Sequence, residues 1–243
     1  MKTAVISRHR SLSYAFSGAG WLTPFHLGVI SALRKRNLIG TSSTVAGSSG
    51  GAIASALCAV GTSEHDALAK FVEFSNEFKV MSNIDWKLRL MLLETIPKGS
   101  YHSCNNKLFI TVTDLKPRPV LKTISHFESD NDLIACIATS CYIPFYCGPT
   151  LSVSFRGRQS IDGGLFAFLP PVGEITISPL PAIGKYVPNA RRSVIHPYLV
   201  PGFKVPLRRM LRWAFFPESP EVLKELFDIG VASGDVWANT LQE

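Results

Sequence analysis

At 243 residues, 46% hydrophobic and 18% charged, the chain is long enough to bury one sizeable core and too apolar to be a disordered segment. Its formal net charge of +7 comes from short groups: Arg34-Lys35-Arg36, Arg191-Arg192, and Lys204 with Arg208, Arg209 and Arg212. With no long basic arm and no DNA- or RNA-binding signature, that balance argues against a nucleic-acid partner and favours an anionic membrane face.

Mean hydropathy is slightly positive, yet no apolar run reaches the roughly 18 residues of a membrane span. The first ten residues hold no apolar stretch of signal-peptide length. Five cysteines without a C-x-x-C pair, and histidines at spacings that suit no zinc site, read as reduced thiols and no metal. A cytoplasmic chain with peripheral membrane contact is expected.

In chain order, residues 12–16 read as a short strand ending at Ser17-Gly18-Ala19-Gly20. A helix follows, with Leu22, Phe25, Val29 and Leu33 at helical spacing and basic residues in its last turn. Thr44-Val45-Ala46 supplies a second strand, which runs into Gly47. The small apolar residues from Ala52 to Ala59 form a helix stopped by Gly61. A third helix starts at Thr62-Ser63, with Asp66 in capping-box position, and a fourth covers about Asp85 to Glu94.

The period then changes to two. Leu108, Ile110 and Val112 alternate with Phe109, Thr111 and Thr113, a strand pattern. Pro117-Arg118-Pro119 turns the chain, and residues 120–126 return as a strand. Ser129 caps a helix that runs to about Thr139. Residues 151–161 and Glu174–Ile177 read as strands, 179–206 as an irregular proline-rich connection, and Ser219-Pro220-Glu221 as a helix start. No repeat and no linker appears. Strands alternating with helices predict a three-layer α/β/α fold with a mostly parallel sheet. The whole of 1–243 reads as one domain, with 200–243 its C-terminal helical segment.

Gly47-Ser48-Ser49-Gly50-Gly51 matches G-x-S-x-G, a strand-to-helix turn that lifts a serine hydroxyl out of the sheet. The same letters also suit a plain Gly/Ser turn opening a helix. A serine nucleophile needs a base and a holder for the oxyanion. Gly18-Ala19-Gly20 offers backbone N–H groups at a helix start, or a simple tight turn. Asp162, at a strand end before Gly163-Gly164, is one candidate base. His196 is the alternative, as in a Ser-Asp-His esterase. Leu165, Phe166, Phe168 and Leu169 are candidates for an acyl groove. Residues 208–216 (RRMLRWAFF) suit an interfacial helix or an ordinary packed one.

These three motifs, in this order and spacing, resemble the patatin-like phospholipase family. So do the segments HLGVISAL, KFVEFSNEF, SHFESDNDLI, YIPFYCGP, EITISP and ELFDIGVASG, which are similar to the branch containing adipose triglyceride lipase and adiponutrin. The likeness extends over nearly the whole chain from about residue 12. It implies a Ser49–Asp162 catalytic dyad without histidine, an oxyanion hole at Gly18, Ala19 and Gly20, and motif glycines Gly47, Gly51, Gly163 and Gly164. It implies no cofactor. The implied activity is hydrolysis of glycerolipid esters at a lipid-droplet or membrane surface, triacylglycerol first and phospholipid or transacylation next, with any protein activator unidentified. A non-catalytic lipid-binding homologue is the other reading. Two positions depart from the family pattern: Thr23 stands for a usual glycine, and Phe168 stands where asparagine is frequent and is expected to shape the acyl pocket.

Overall fold

The computed structural model of the chain describes residues 12–78, 83–180 and 193–241. Its centre is an eight-stranded sheet. Strands β1 (Ser13–Phe16), β2 (Thr44–Ser48), β3 (Leu108–Asp114), β7 (Ile175–Ile177) and β8 (Ser193–Ile195) run parallel in the order β3-β2-β1-β7-β8. Strands β4 (Val120–Ile124) and β6 (Arg158–Asp162) both pair antiparallel with β3, and β5 (Val153–Phe155) pairs antiparallel with β6. Near-continuous burial of β1, β2 and β3 is what a parallel sheet covered on both faces demands.

Helices flank this sheet: α1 (Thr23–Lys35), α2 (Gly50–Val60), α3 (Glu64–Asn76), α4 (Ile84–Thr95), α5 (Ser100–Cys104), α6 (Asp130–Ser140), α7 (Leu207–Phe215) and α8 (Pro220–Asn239). Two of the three expected serine caps form, while Ser219 stands at the N-cap of α8 without a side-chain bond to a backbone N–H of its first turn. Ser63 Oγ accepts from the Asp66 N–H, and Ser129 Oγ accepts from the Asp132 N–H. Gly61 ends α2 in the left-handed conformation.

Two expectations need correction, and one short helix was not foreseen. Residues 151–161 are two strands rather than one, folded back at Arg156-Gly157, both at positive φ as a tight hairpin requires. The 179–206 connection contains β8, too short at three residues to show a period; the part of that expectation over 181–192, including the basic pair at 191–192, lies outside the described residues. The short helix α5 carries no sequence signal beyond Gly99 before it.

The register of β3 brings two strand ends together. Strand β4 covers one edge of β3 from Ile110 to Asp114. Both β2 and β6 overlap that span, so both must lie on the opposite edge. There β2 pairs with residues 108–111 and β6 with residues 112–114. Because β6 is antiparallel, the two strands meet end to end, Ser48 beside Thr111 and Asp162 beside Val112.

Candidate active site

Ser49 is the N-cap of α2, at φ 55° and ψ −129°. A non-glycine residue there is strained by about 1–3 kcal/mol. The turn is held by close backbone contacts. A Cβ on Gly47 would lie 2.2 Å from the Gly51 carbonyl oxygen, and one on Gly51 would lie 2.3 Å from the carbonyl oxygens of Phe16 and Ser17. The positive end of α2 therefore points at the Ser49 hydroxyl.

The structure brings together the two residues singled out in the sequence. Ser49 Oγ–H donates to Asp162 Oδ2 at 2.7 Å. The Gly164 N–H donates to Asp162 Oδ1, so both carboxylate oxygens are engaged. Gly163 lets this corner approach β3: a Cβ there would sit 2.2 Å from the Thr111 carbonyl oxygen. Asp162 is buried, and burial pushes its carboxyl up from the ordinary 3.8 to about 7, against the hydrogen bonds from Ser49, Gly164 and Leu165 that hold it down. A carboxylate poised near neutral pH is a competent general base.

His196 is placed elsewhere. It follows β8, and β7 and β1 intervene between β8 and β2. Three strand spacings make that separation about 14 Å. Its ring lies against Tyr198, and a Ser49–Asp162–His196 triad is not formed.

The glycine loop is only partly as expected. The Gly18 N–H donates to the Phe168 carbonyl at 2.8 Å and so is not available to an oxyanion. Ala19 and Gly20 N–H groups have no backbone acceptor among the described residues. Gly20 borders Ser49 together with Gly50, whose N–H at the start of α2 has no intrahelical partner. Thr23 Oγ1–H donates to the Gly20 carbonyl at 2.7 Å, so the departure at Thr23 supplies a brace for the loop. Buried His26, kept neutral by burial with its pKa lowered to about 4, contacts the Ser17 carbonyl through Nε2 at 3.0 Å.

Ser140 was invisible to motif reading. Its Oγ accepts from the Ser49 N–H at 3.0 Å and donates to the Thr111 carbonyl at 2.7 Å, tying the strained serine to β3. Nothing in the sequence marks it apart from its place at the end of α6. Ser140→Ala orphans the Ser49 N–H, and a loss of about 2 kcal/mol is expected in urea unfolding.

An apolar groove opens at Ser49. Trp21, Ile53, Phe71, Phe74, Leu88 and Tyr146 are among its walls, and among the described residues no charged side chain lines it. Trp21 stacks on Phe74 with ring centroids 4.9 Å apart and meets Phe71 edge-on at 5.4 Å. This corrects the expected acyl groove, because Leu165, Phe166, Phe168 and Leu169 do not line it. Leu165 and Phe166 are exposed beside Asp162, while Phe168 packs over Gly18 and against the cluster of Ala19, Leu22 and Met210.

A family profile for patatin-like phospholipase matches residues 14–172. Patatin-like phospholipase domain-containing protein 2 from Homo sapiens is 30% identical, over 93% of this chain and 48% of its own length. Omega-hydroxyceramide transacylase from Homo sapiens is 26% identical, over 94% of this chain and 46% of its own length. The chain thus spans about half the length of these relatives. A solved structure of ExoU, from the type III secretion system of Pseudomonas aeruginosa, in complex with SpcU matches at a TM-score of 0.45 and 14% identity, over 98% of this chain and 54% of that one. By the extent of the family match, this chain belongs to the patatin-like phospholipase family.

Proposed function

We propose that the chain is a serine acyl hydrolase that cleaves carboxylic esters of glycerolipids, with Ser49 as nucleophile and Asp162 as its base. One observation carries this reading: the Ser49 hydroxyl donates to a buried carboxylate at 2.7 Å where an apolar groove opens. Asp162 takes the proton as Ser49 Oγ attacks the ester carbonyl. The N–H groups of Ala19, Gly20 and Gly50 receive the oxyanion, and the α2 dipole adds to their field. The leaving alcohol takes the proton from Asp162, and water activated by the same carboxylate releases the acid.

The groove takes the acyl chain. The apolar walls, Trp21, Ile53, Phe71, Phe74 and Leu88 among them, support a long-chain acyl ester, with triacylglycerol put first and phospholipid next. Such substrates are met as aggregates, so the enzyme works peripherally at a droplet or membrane surface. Among the described residues no helix is long and apolar enough to cross a membrane.

The test is product analysis on triacylglycerol, diacylglycerol and phosphatidylcholine side by side, with covalent labelling by an organophosphonate. Labelling that vanishes in Ser49→Ala supports the reading; no labelling of the parent chain means a non-catalytic lipid-binding protein. Acyl groups recovered on an added lipid alcohol rather than as free acid would assign transacylation. His196→Ala is expected to keep kcat/KM within about two-fold of the parent, because its ring is some three strands from the serine. A collapse of activity in that variant would restore the triad.

A further inference from the structure

Helix α7 has no part in the chemistry proposed above, yet its surface is unusual. Leu207, Leu211 and Phe215 recur every fourth residue and so share one face. They are 37%, 43% and 46% exposed. Arg208 and Arg212, also four apart, form an adjoining exposed row. Met210, across the helix from the arginine row and about 100° around from the middle of the stripe, is fully buried in a cluster with Ala19, Leu22, Leu223 and Leu226. The helix therefore rests on the protein through Met210 and turns an apolar stripe with a cationic border to solvent. Arg212 reaches Glu218 only at 3.6 Å, and Arg208 has no acidic partner among the described residues.

A second, independent feature adjoins it. Phe145 holds φ at 60° and is 56% exposed. A bulky side chain in the left-handed region is a strained one, and here the strain presents an aromatic ring to solvent. The next residue ties this turn to α7: Tyr146 O–H donates to the Phe215 carbonyl, and the two rings meet edge-on at 6.3 Å. Tyr146 and Ala214 both line the groove at Ser49, and a Cβ on Gly20 would lie 2.0 Å from the Ala214 carbonyl oxygen. The apolar stripe, the strained aromatic and the mouth of the groove thus share one rim.

We infer that α7 and the Phe145 turn form the face by which this chain docks on an anionic phospholipid surface, presenting the Ser49 groove to the lipid. Leucine and phenylalanine enter the acyl boundary while the arginines stay at headgroup level. The cationic row beside the stripe, on a chain of net charge +7, selects an anionic surface over a neutral one or a second copy of the chain. That the docked face serves catalysis rests on the hydrolase reading; the docking itself does not.

The experiment uses the full chain carrying Ser49→Ala, so that binding is read without turnover, and sedimentation with vesicles of phosphatidylcholine alone or with one third phosphatidylglycerol. Tight binding to the anionic vesicles, at least about ten-fold weaker on the neutral ones, is expected, since each arginine at the surface contributes about five-fold. Arg208→Glu with Arg212→Glu should weaken anionic binding about 20-fold or more, and Leu207→Asp with Leu211→Asp should abolish it. Phe145→Gly should weaken binding several-fold while raising the unfolding midpoint, a pair of effects that a purely structural role does not produce. On the Ser49 background, all these variants should hydrolyse a soluble short-chain ester like the parent, which separates loss of docking from loss of the active site. Equal binding to neutral and anionic vesicles, undiminished binding of the charge-reversed variant, or a dimer in light scattering that the Leu207/Leu211 changes dissolve would overturn the inference.

Discussion

Asp162→Asn should lower kcat/KM on a soluble ester by about 10³-fold or more, and above neutral pH it should make the folded chain more stable. The activity falls because an amide cannot take the Ser49 proton. The stability rises because the native carboxylate is an expense of the fold. Burial holds its pKa at about 7, against an ordinary 3.8. Between those values the folded chain binds a proton that the unfolded chain has released, so stability falls as pH rises through that window. Above it the full shift applies, about 4 kcal/mol at 1.36 kcal/mol per unit. Asparagine carries no charge and escapes that term. The hydrogen bonds from Ser49 Oγ–H and the Gly164 N–H already hold that pKa down, so they take nothing further from the gain. A gain of about 4 kcal/mol near pH 8, shrinking to nothing near pH 4, is the expected outcome of urea titrations. The parent enzyme's kcat/KM should rise about ten-fold per pH unit below about 7 and level off above it, as the base loses its proton. A pH-independent stability difference would show that the carboxyl is not held up by burial.

Replacing Ser49 should lower activity by about 10⁴-fold or more, whether the new residue is alanine or glycine. The two variants differ in stability. At φ 55° the backbone of residue 49 lies where glycine is relaxed and alanine is not. Ser49→Gly should therefore be about 1 kcal/mol more stable than Ser49→Ala in the same unfolding assay, despite the added freedom of its unfolded chain. Both lose the hydroxyl that holds the Asp162 carboxyl down, so that pKa should climb further in each, visible as a shift of the pH–stability curve to higher pH. Equal stability of the two would mean that the elbow stores no strain at the serine.

Much of the scaffold could be read from neighbours in the chain. Ser63 and Ser129 announce helix starts because the side chain that satisfies the orphan N–H lies within three residues of it. Gly61, Ser219-Pro220 and the alternation from Leu108 to Thr113 are equally local. The hairpin at Arg156-Gly157 and the three-residue β8 were missed because a strand that short completes no period, and its pairing partner supplies the signal.

The sequence by itself determined the chemical types and the local turns: a serine between glycines at a strand end, an aspartate before two glycines, and the backbone freedom each turn needs. Tertiary structure alone decided which of these groups meet. Strand β3 offers one edge to both β2 and β6, so the serine at one strand end faces the aspartate at the other across 113 positions of chain. The same packing committed the Gly18 N–H to Phe168, left His196 three strands away and recruited Ser140, a residue without any motif. It also set the basicity of Asp162, since desolvation depends on what surrounds a carboxyl in space and leaves no mark on the residues beside it in the chain.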